Sequence, residues 1–314
     1  MTAFVVILLL YIPGFLLVRS LRFDRLASLA VSPVFSISLF VVLGIAFRYA
    51  NIFAEWWMIV VPALAVSAAA RVASGCIEKK LSWTAVQDRR TDLMAIGVYV
   101  FVGVSIAGFF FVKDLSGPAS FAQLYDNAAH LNGIRSIIEN GNYSVLSSSS
   151  YSFEEVSSGI APTISYEGFY PEAWHIVTAL ASAITGVGAA VAENASLFSF
   201  LGVVFPVSTS LLMSRIFSER PIVLIGSLVT LAFSAFPWGF LTFGPLYSNL
   251  AAFALVPVAV CSIASVFSRS SCKNDRIRWT LSFLVACFAL AVLQPNALFS
   301  IIVLAAPLCL AGLM

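Results

Sequence analysis

The sequence predicts an all-α protein: a polytopic membrane helix bundle of about nine spans, with one long external segment that contains amphipathic helices. Three observations carry this. Hydrophobic residues make up 60% of the 314 and charged residues 10%, with a mean hydropathy of +0.98, so there is too little charge to clothe a soluble core of this size. Stretches free of Asp, Glu, Lys and Arg recur at lengths near the roughly 20 residues that a helical crossing needs. The remaining polar chemistry is gathered between residues 113 and 193.

Taken in order, residues 1–18, 26–47, 56–70 and 93–112 each support one crossing, the third when Ile52 to Glu55 extends it. The first has no basic leader and no small-residue cleavage site, so it reads as a retained helix rather than a signal peptide. Residues 194–214 support one more crossing. The stretch 221–268 is 48 uncharged residues, enough for two. Its break is expected from Pro237-Trp238-Gly239 through Gly244-Pro245-Leu246-Tyr247-Ser248-Asn249, where Pro and Gly interrupt helices and Trp and Tyr suit an interface. Residues 279–314 are again uncharged, and Gln294-Pro295-Asn296 divides them into two short spans.

Charge position sets the orientation. With the N-terminus outside, segments 19–25, 71–92, 215–220 and 269–278 face the cytoplasm with 3, 5, 2 and 4 basic residues, 14 of the 17 in the chain. Only Arg48, Lys113 and Arg135 stay outside, and the positive-inside rule selects this arrangement over its mirror. The expected location is therefore a cell membrane, with the N-terminus and residues 113–193 external. A net charge of +2 says nothing about a nucleic-acid partner, and none is expected because the sequence has no run of the clustered Lys and Arg that a phosphate-binding surface needs. The five cysteines include no C-x-x-C pair and read as buried or stray thiols, without a structural disulfide or zinc site.

The 81-residue external segment holds eight acids, two bases and both histidines of the chain. Ser120-Phe121-Ala122-Gln123 has the form of a capping box and Asn140-Gly141 supplies a stop, predicting a helix over 120–140 with an apolar stripe of Phe121, Leu124, Ala128, Leu131 and Ile138. At 100° per residue, Asp126 and His130 share the face opposite that stripe. The pair fits a solvated i, i+4 contact, a general base with its orienting neighbour, or two ligands of a divalent metal such as Mg or Mn. Residues 142–165 are Ser-rich without a period and read as a mobile loop, with Glu154-Glu155 a solvated pair.

Residues 171–186 would span only about 24 Å, and Glu172, His175, Thr178 and Ser182 repeat along one side. They read as an interfacial amphipathic helix that begins at Pro171, with Trp174 at headgroup level and Glu172 and His175 as further candidate ligands or bases. Asn249 and Asn296, with Tyr247 and Gln294, lie at breaks on the same side as the long segment. They are expected either to face the cavity of Asp126 or to cap helices.

An entering helix, an aspartate-bearing external helix, a Tyr-Pro amphipathic helix and a helix ending in the basic turn Leu212-Met213-Ser214-Arg215-Ile216-Phe217 resemble the GT-C glycosyltransferases. More closely, Asp126-x-x-x-His130, Tyr170-Pro171-x-x-x-His175, Gly244-Pro245-Leu246-Tyr247-Ser248-Asn249 and Gln294-Pro295-Asn296-Ala297 resemble a group of uncharacterised multi-pass proteins of actinobacteria. The resemblance covers 93–314. Residues 1–92 then form an added N-terminal three-helix bundle with its cytoplasmic loop, and the module is expected to be incomplete at its C-terminus.

The resemblance implies transfer of a sugar from a lipid-linked (polyprenyl-phosphate) donor to a cell-envelope glycan, lipid or protein acceptor at the outer membrane face. Asp126 carries over as the base, and Asn127 stands where many members have a second acid. Apart from the membrane lipids around it, no other partner is implied. The competing classes are a lipid or glycan transporter or flippase, and a membrane assembly protein. Ion-coupled carriers place ionisable residues within their spans, and none of the spans read above has one.

Overall fold

The computed structural model describes residues 1–78, 90–148, 168–268 and 272–313, all helix or connection with no strand among them. Glu154-Glu155 and most of the Ser-rich stretch lie outside the described residues. The helices are α1 (Thr2–Ser20), α2 (Arg25–Tyr49), α3 (Trp56–Glu78), α4 (Arg90–Ala107), α5 (Tyr125–Asn140), α6 (Ala173–Thr185), α7 (Ala189–Ser199), α8 (Phe205–Ile216), α9 (Arg220–Val229), α10 (Gly239–Thr242), α11 (Tyr247–Phe267), α12 (Lys273–Leu293) and α13 (Ala297–Leu313). A π-helical turn, Gly108–Val112, prolongs α4, and another, Phe200–Val204, joins α7 to α8.

Among the described residues, eight stretches are long and apolar enough to cross a membrane: α1, α2, α3, α4 with its π turn, α7 through α8, α9 through α10, α11 and α12. The expected ninth, α13, is a helix of 17 residues and shorter than the other spans. The break expected from Pro237 to Asn249 stands at Phe243 to Leu246, between α10 and α11, and a further interruption at Thr230 to Phe233 divides the α9–α10 span. Backbone groups freed there find side chains: Trp238 Nε1 donates to the Leu231 carbonyl at 2.8 Å, the kind of repair that a helix interruption at membrane depth requires.

Close packing is set by small residues. A β-carbon on Gly14 of α1 would lie 1.9 Å from the Ser32 carbonyl oxygen of α2, so only glycine allows this approach. The same α1 backbone donates from Gly14 N to Ser36 Oγ at 2.8 Å. Helices α1 and α2 pack on α6 and share one continuous apolar core with α7, α8, α11 and α12.

The loops predicted to share a side meet in space. Asp24 caps α2 through Ala27 N at 2.7 Å and pairs with Arg215 of α8 at 3.2 Å, while Phe23 sits edge-on to Trp279 of α12 at 4.7 Å. At the other end, Ala54 N donates to the Gly141 carbonyl at 2.9 Å and Arg48 Nε to Ser147 Oγ at 2.9 Å. A β-carbon on Gly44 would lie 2.0 Å from the Tyr143 carbonyl, so residues 141–147 lie directly on α2. This part of the expected mobile loop is thus pinned to the bundle.

Helix α6 corrects an expectation. It is too short to cross, as its length implied, but every residue from Ala173 to Ser182 is buried and it packs against α1, α2, α5, α7, α11 and α12. It is an internal plug, not an interfacial helix, and Trp174 is fully enclosed instead of lying at headgroup level. Its polar residues are met inside the protein: Thr178 Oγ1 donates to the Trp174 carbonyl at 2.9 Å, Ser182 Oγ to the Val187 carbonyl at 2.7 Å, and His175 Nε2 lies 2.8 Å from His130 Nδ1.

Candidate functional site

Helix α5 begins at Tyr125, five residues later than expected, because Ser120 spends its hydroxyl on the preceding turn, accepting from Gly117 N at 2.8 Å. The buried face is also rotated. Asn127, His130, Ile134, Ser136 and Ile137 point inward, whereas Phe121 and Leu124 are about half exposed. Asp126 and His130 therefore do not share a solvated face: Asp126 is exposed and His130 buried.

His130 is held at both ring nitrogens. Its Nε2 lies 2.8 Å from the Pro245 carbonyl oxygen and its Nδ1 2.8 Å from His175 Nε2. A carbonyl only accepts, so His130 Nε2 carries the proton; in the neutral ring Nδ1 is then an acceptor, and His175 Nε2–H donates to it. His175 Nδ1 is left as a buried lone pair without a partner. Burial holds His175 well below the ordinary histidine range, with His130 adding to the effect. Burial also lowers His130, against the opposing pull of the Pro245 carbonyl and the Asp126 carboxylate. The pair is neutral near pH 7, wedged among Trp174 at 5.5 Å and the stacked ring of Tyr247 at 5.3 Å.

This clasp fixes the Gly244-Pro245 turn beside α5. A β-carbon on Gly244, whose φ is +65°, would sit 3.5 Å from Asp126 Oδ2. Tyr170 lies within electrostatic reach of both Asp126 and Glu172, and burial, with those two acids, raises its phenol. The Asp126 carboxylate is thus exposed where α5, the 243–246 turn and Tyr170 converge. Tyr170 neighbours it at 37% exposure, and Tyr125 and Phe243, next in the chain to Asp126 and Gly244, are 74% and 85% exposed.

Glu172 lies behind Tyr170. It is buried, Ser148 Oγ donates to its Oε1 at 2.6 Å, and Oε2 has no partner. Burial pushes its carboxyl up to about 8, against the lowering effect of the Ser148 bond, so it is largely protonated at neutral pH. A shielded neutral acid of this kind is a poor base.

Tyr247 belongs to the histidine cluster, but the other amide sites form a separate contact: Asn296 Nδ2 donates to Asn249 Oδ1 at 2.7 Å, tying the α12–α13 break to α11. Gln294 ends α12 at its C-cap. The metal reading for Asp126 with His130 does not fit, because both His130 nitrogens are already engaged. Among the described residues, no group of three His, Cys, Asp or Glu side chains is placed to hold an ion.

Sequence reasoning missed Asn127, Trp174, Pro245 and Glu193 as parts of this region. Glu193, counted with the acids of the external segment, is fully buried on α7 within a span-length stretch, beside Asn127 and within reach of Tyr247. The one available signal was its place at the head of a long uncharged run.

No curated protein and no solved structure matches this chain. One family model, described as a family of unknown function (DUF6541), matches residues 7–314. That match takes in the N-terminal helices, the histidine clasp and the Asp126 turn alike, and the chain belongs to this family of unknown function.

Proposed function

We propose that this protein is a membrane glycosyltransferase, moving a sugar from a polyprenyl-phosphate carrier to an acceptor hydroxyl at the outer face, with Asp126 as the general base. The observation that carries the reading is the surroundings of Asp126: an exposed carboxylate with Tyr170 within electrostatic reach, beside the Gly244 turn that a neutral, buried histidine pair holds. Tyrosine rings offer an apolar face and a polar tip, suited to a sugar lying over the carboxylate. In an inverting transfer, Asp126 takes the acceptor O–H proton as that oxygen attacks the anomeric carbon. The bond from that carbon to the carrier phosphate breaks, and the phosphate leaves on the opposite face of the sugar.

His130 acts through position in this scheme. It holds the 243–246 turn against α5 and offers no free nitrogen to substrate. The test is reconstitution of the purified protein in vesicles with a panel of polyprenyl-phosphate-linked pentoses and hexoses. Asp126→Asn should lower turnover by about 100-fold to 10,000-fold with little change in carrier binding. Full activity in that variant removes Asp126 from the chemistry.

The transporter reading gains one observation of its own, the buried Glu193, since an ionisable group inside a spanning stretch is a functional candidate by default.

A further inference from the structure

Glu193 has no part in the chemistry proposed for Asp126. It is 0% exposed, and apart from the Asn127 amide beside it neither of its carboxylate oxygens has a hydrogen-bond partner. The Asn127 side chain beside it, contributed by α5, is also 0% exposed; its Nδ2 is committed to the Ala122 carbonyl at 3.0 Å and its Oδ1 has no partner. Ser196, three residues further along α7 and so on the same side as Glu193, is 0% exposed with an unpaired Oγ. These oxygens come from two helices joined through the connection 113–124, which Asn194 anchors by donating to the Pro118 and Ser120 carbonyls at 3.0 and 2.6 Å.

Buried polar atoms are paired in the great majority of cases, and a buried carboxylate without a counter-charge is more costly still. Among the described residues, the ion pairs join Arg135 to Glu139, Arg215 to Asp24 and Arg278 to Asp275, so no base serves Glu193. A positive ligand is what the group lacks. Carboxylate, amide and hydroxyl oxygens are hard donors, which select hard cations, and a single carboxylate balances a single charge.

We propose that Glu193, with Asn127 Oδ1 and Ser196 Oγ, binds a small monovalent cation of the sodium class. A cation draws on several oxygens at once. Tyr247, within electrostatic reach of Glu193, stacks on His130 and so stands between the site and the histidine clasp. The site stands whether or not Asp126 transfers a sugar.

The experiment is thermal unfolding of the purified full-length protein in detergent, with sodium chloride replaced stepwise by choline chloride at constant ionic strength. A ligand that binds only the folded state raises its melting temperature saturably, and sodium should do so while choline does not. Glu193→Gln, an isostere without the charge, should melt in choline at or above the wild type and lose the sodium increment. Radioactive sodium binding to the wild type and to Ser196→Ala gives a second reading that does not depend on the glutamine variant folding. The wild type should bind saturably and Ser196→Ala about tenfold or more weakly. Equal melting in sodium and choline, or an increment retained in Glu193→Gln, overturns the proposal. So does stabilisation by acid alone, which would assign the site to a proton.

Discussion

Glu172, the residue before α6, and His175 in its first turn sit three residues apart and respond to burial in opposite directions. Glu172 is raised to about 8, so the folded state keeps a proton that the unfolded chain loses near 4.5. Its contribution is full below the unfolded value and declines as pH rises towards about 8. His175 and His130 are lowered, so the unfolded chain gains protons first as pH falls through the ordinary histidine value of 6.5. Their contribution is present above that value and lost below it. Stability should therefore fall on both sides of mildly acidic pH. Glu172→Gln keeps the neutral shape and removes the alkaline limb. Thermal unfolding should find it several degrees above the wild type at pH 8 and no higher at pH 4, since each pKa unit corresponds to about 1.4 kcal/mol. A gain of the same size at pH 4 would show that the effect is packing and not protonation.

Helix α5 shows at the scale of an element what hydrophobic periodicity can and cannot find. Spans are legible because lipid asks only for length and apolarity, and α1 to α4, α11 and α12 fall where uncharged stretches stand. The inward face of α5 is not, because three of its five buried residues are polar: Asn127, His130 and Ser136. The partners of His130 arrive from far along the chain, His175 at 45 residues and Pro245 at 115, so an apolar stripe of Phe121, Leu124 and Leu131 outscored the true face. The same blindness made α6 look interfacial, since its polar side reads as wet until the groups that meet it are known. The motif positions Asp126, His130, His175 and Tyr247 do converge on one region, while Asn249 and Asn296 pair with each other. The rotated face makes a quantitative prediction. Ile134→Ala, at a site with 0% exposure, should cost about 2–5 kcal/mol of stability, and Leu124→Ala, half exposed, within about 0.5 kcal/mol. Equal losses would restore the expected stripe.

Across the whole molecule, the two ends of the bundle differ in charge and in what they carry. The turns at 20–25 and 215–220 and the start of α12 meet through Asp24–Arg215 and Phe23–Trp279, and they bring most of their bases to one end. Asp126, the histidine clasp and residues 141–147 gather at the other, where Arg48, Lys113 and Arg135 are the bases among the described residues. For a membrane this asymmetry predicts the basic end in the cytoplasm, because translocating clustered Lys and Arg is disfavoured. The site would then open to the outside, as a carrier-dependent transfer at the outer face requires. Single-cysteine variants can test this directly. Thr242→Cys, beside the Gly244 turn, should react with an impermeant maleimide in intact cells. Cys272, exposed at the start of α12, and Cys76, exposed near the end of α3, should react only after the membrane is permeabilised. Reaction of Thr242→Cys and Cys272 from the same side would undo the assignment of the two ends. Reaction of Cys272 alone in intact cells would invert the protein, placing Asp126 in the cytoplasm and ending the case for chemistry at the outer face.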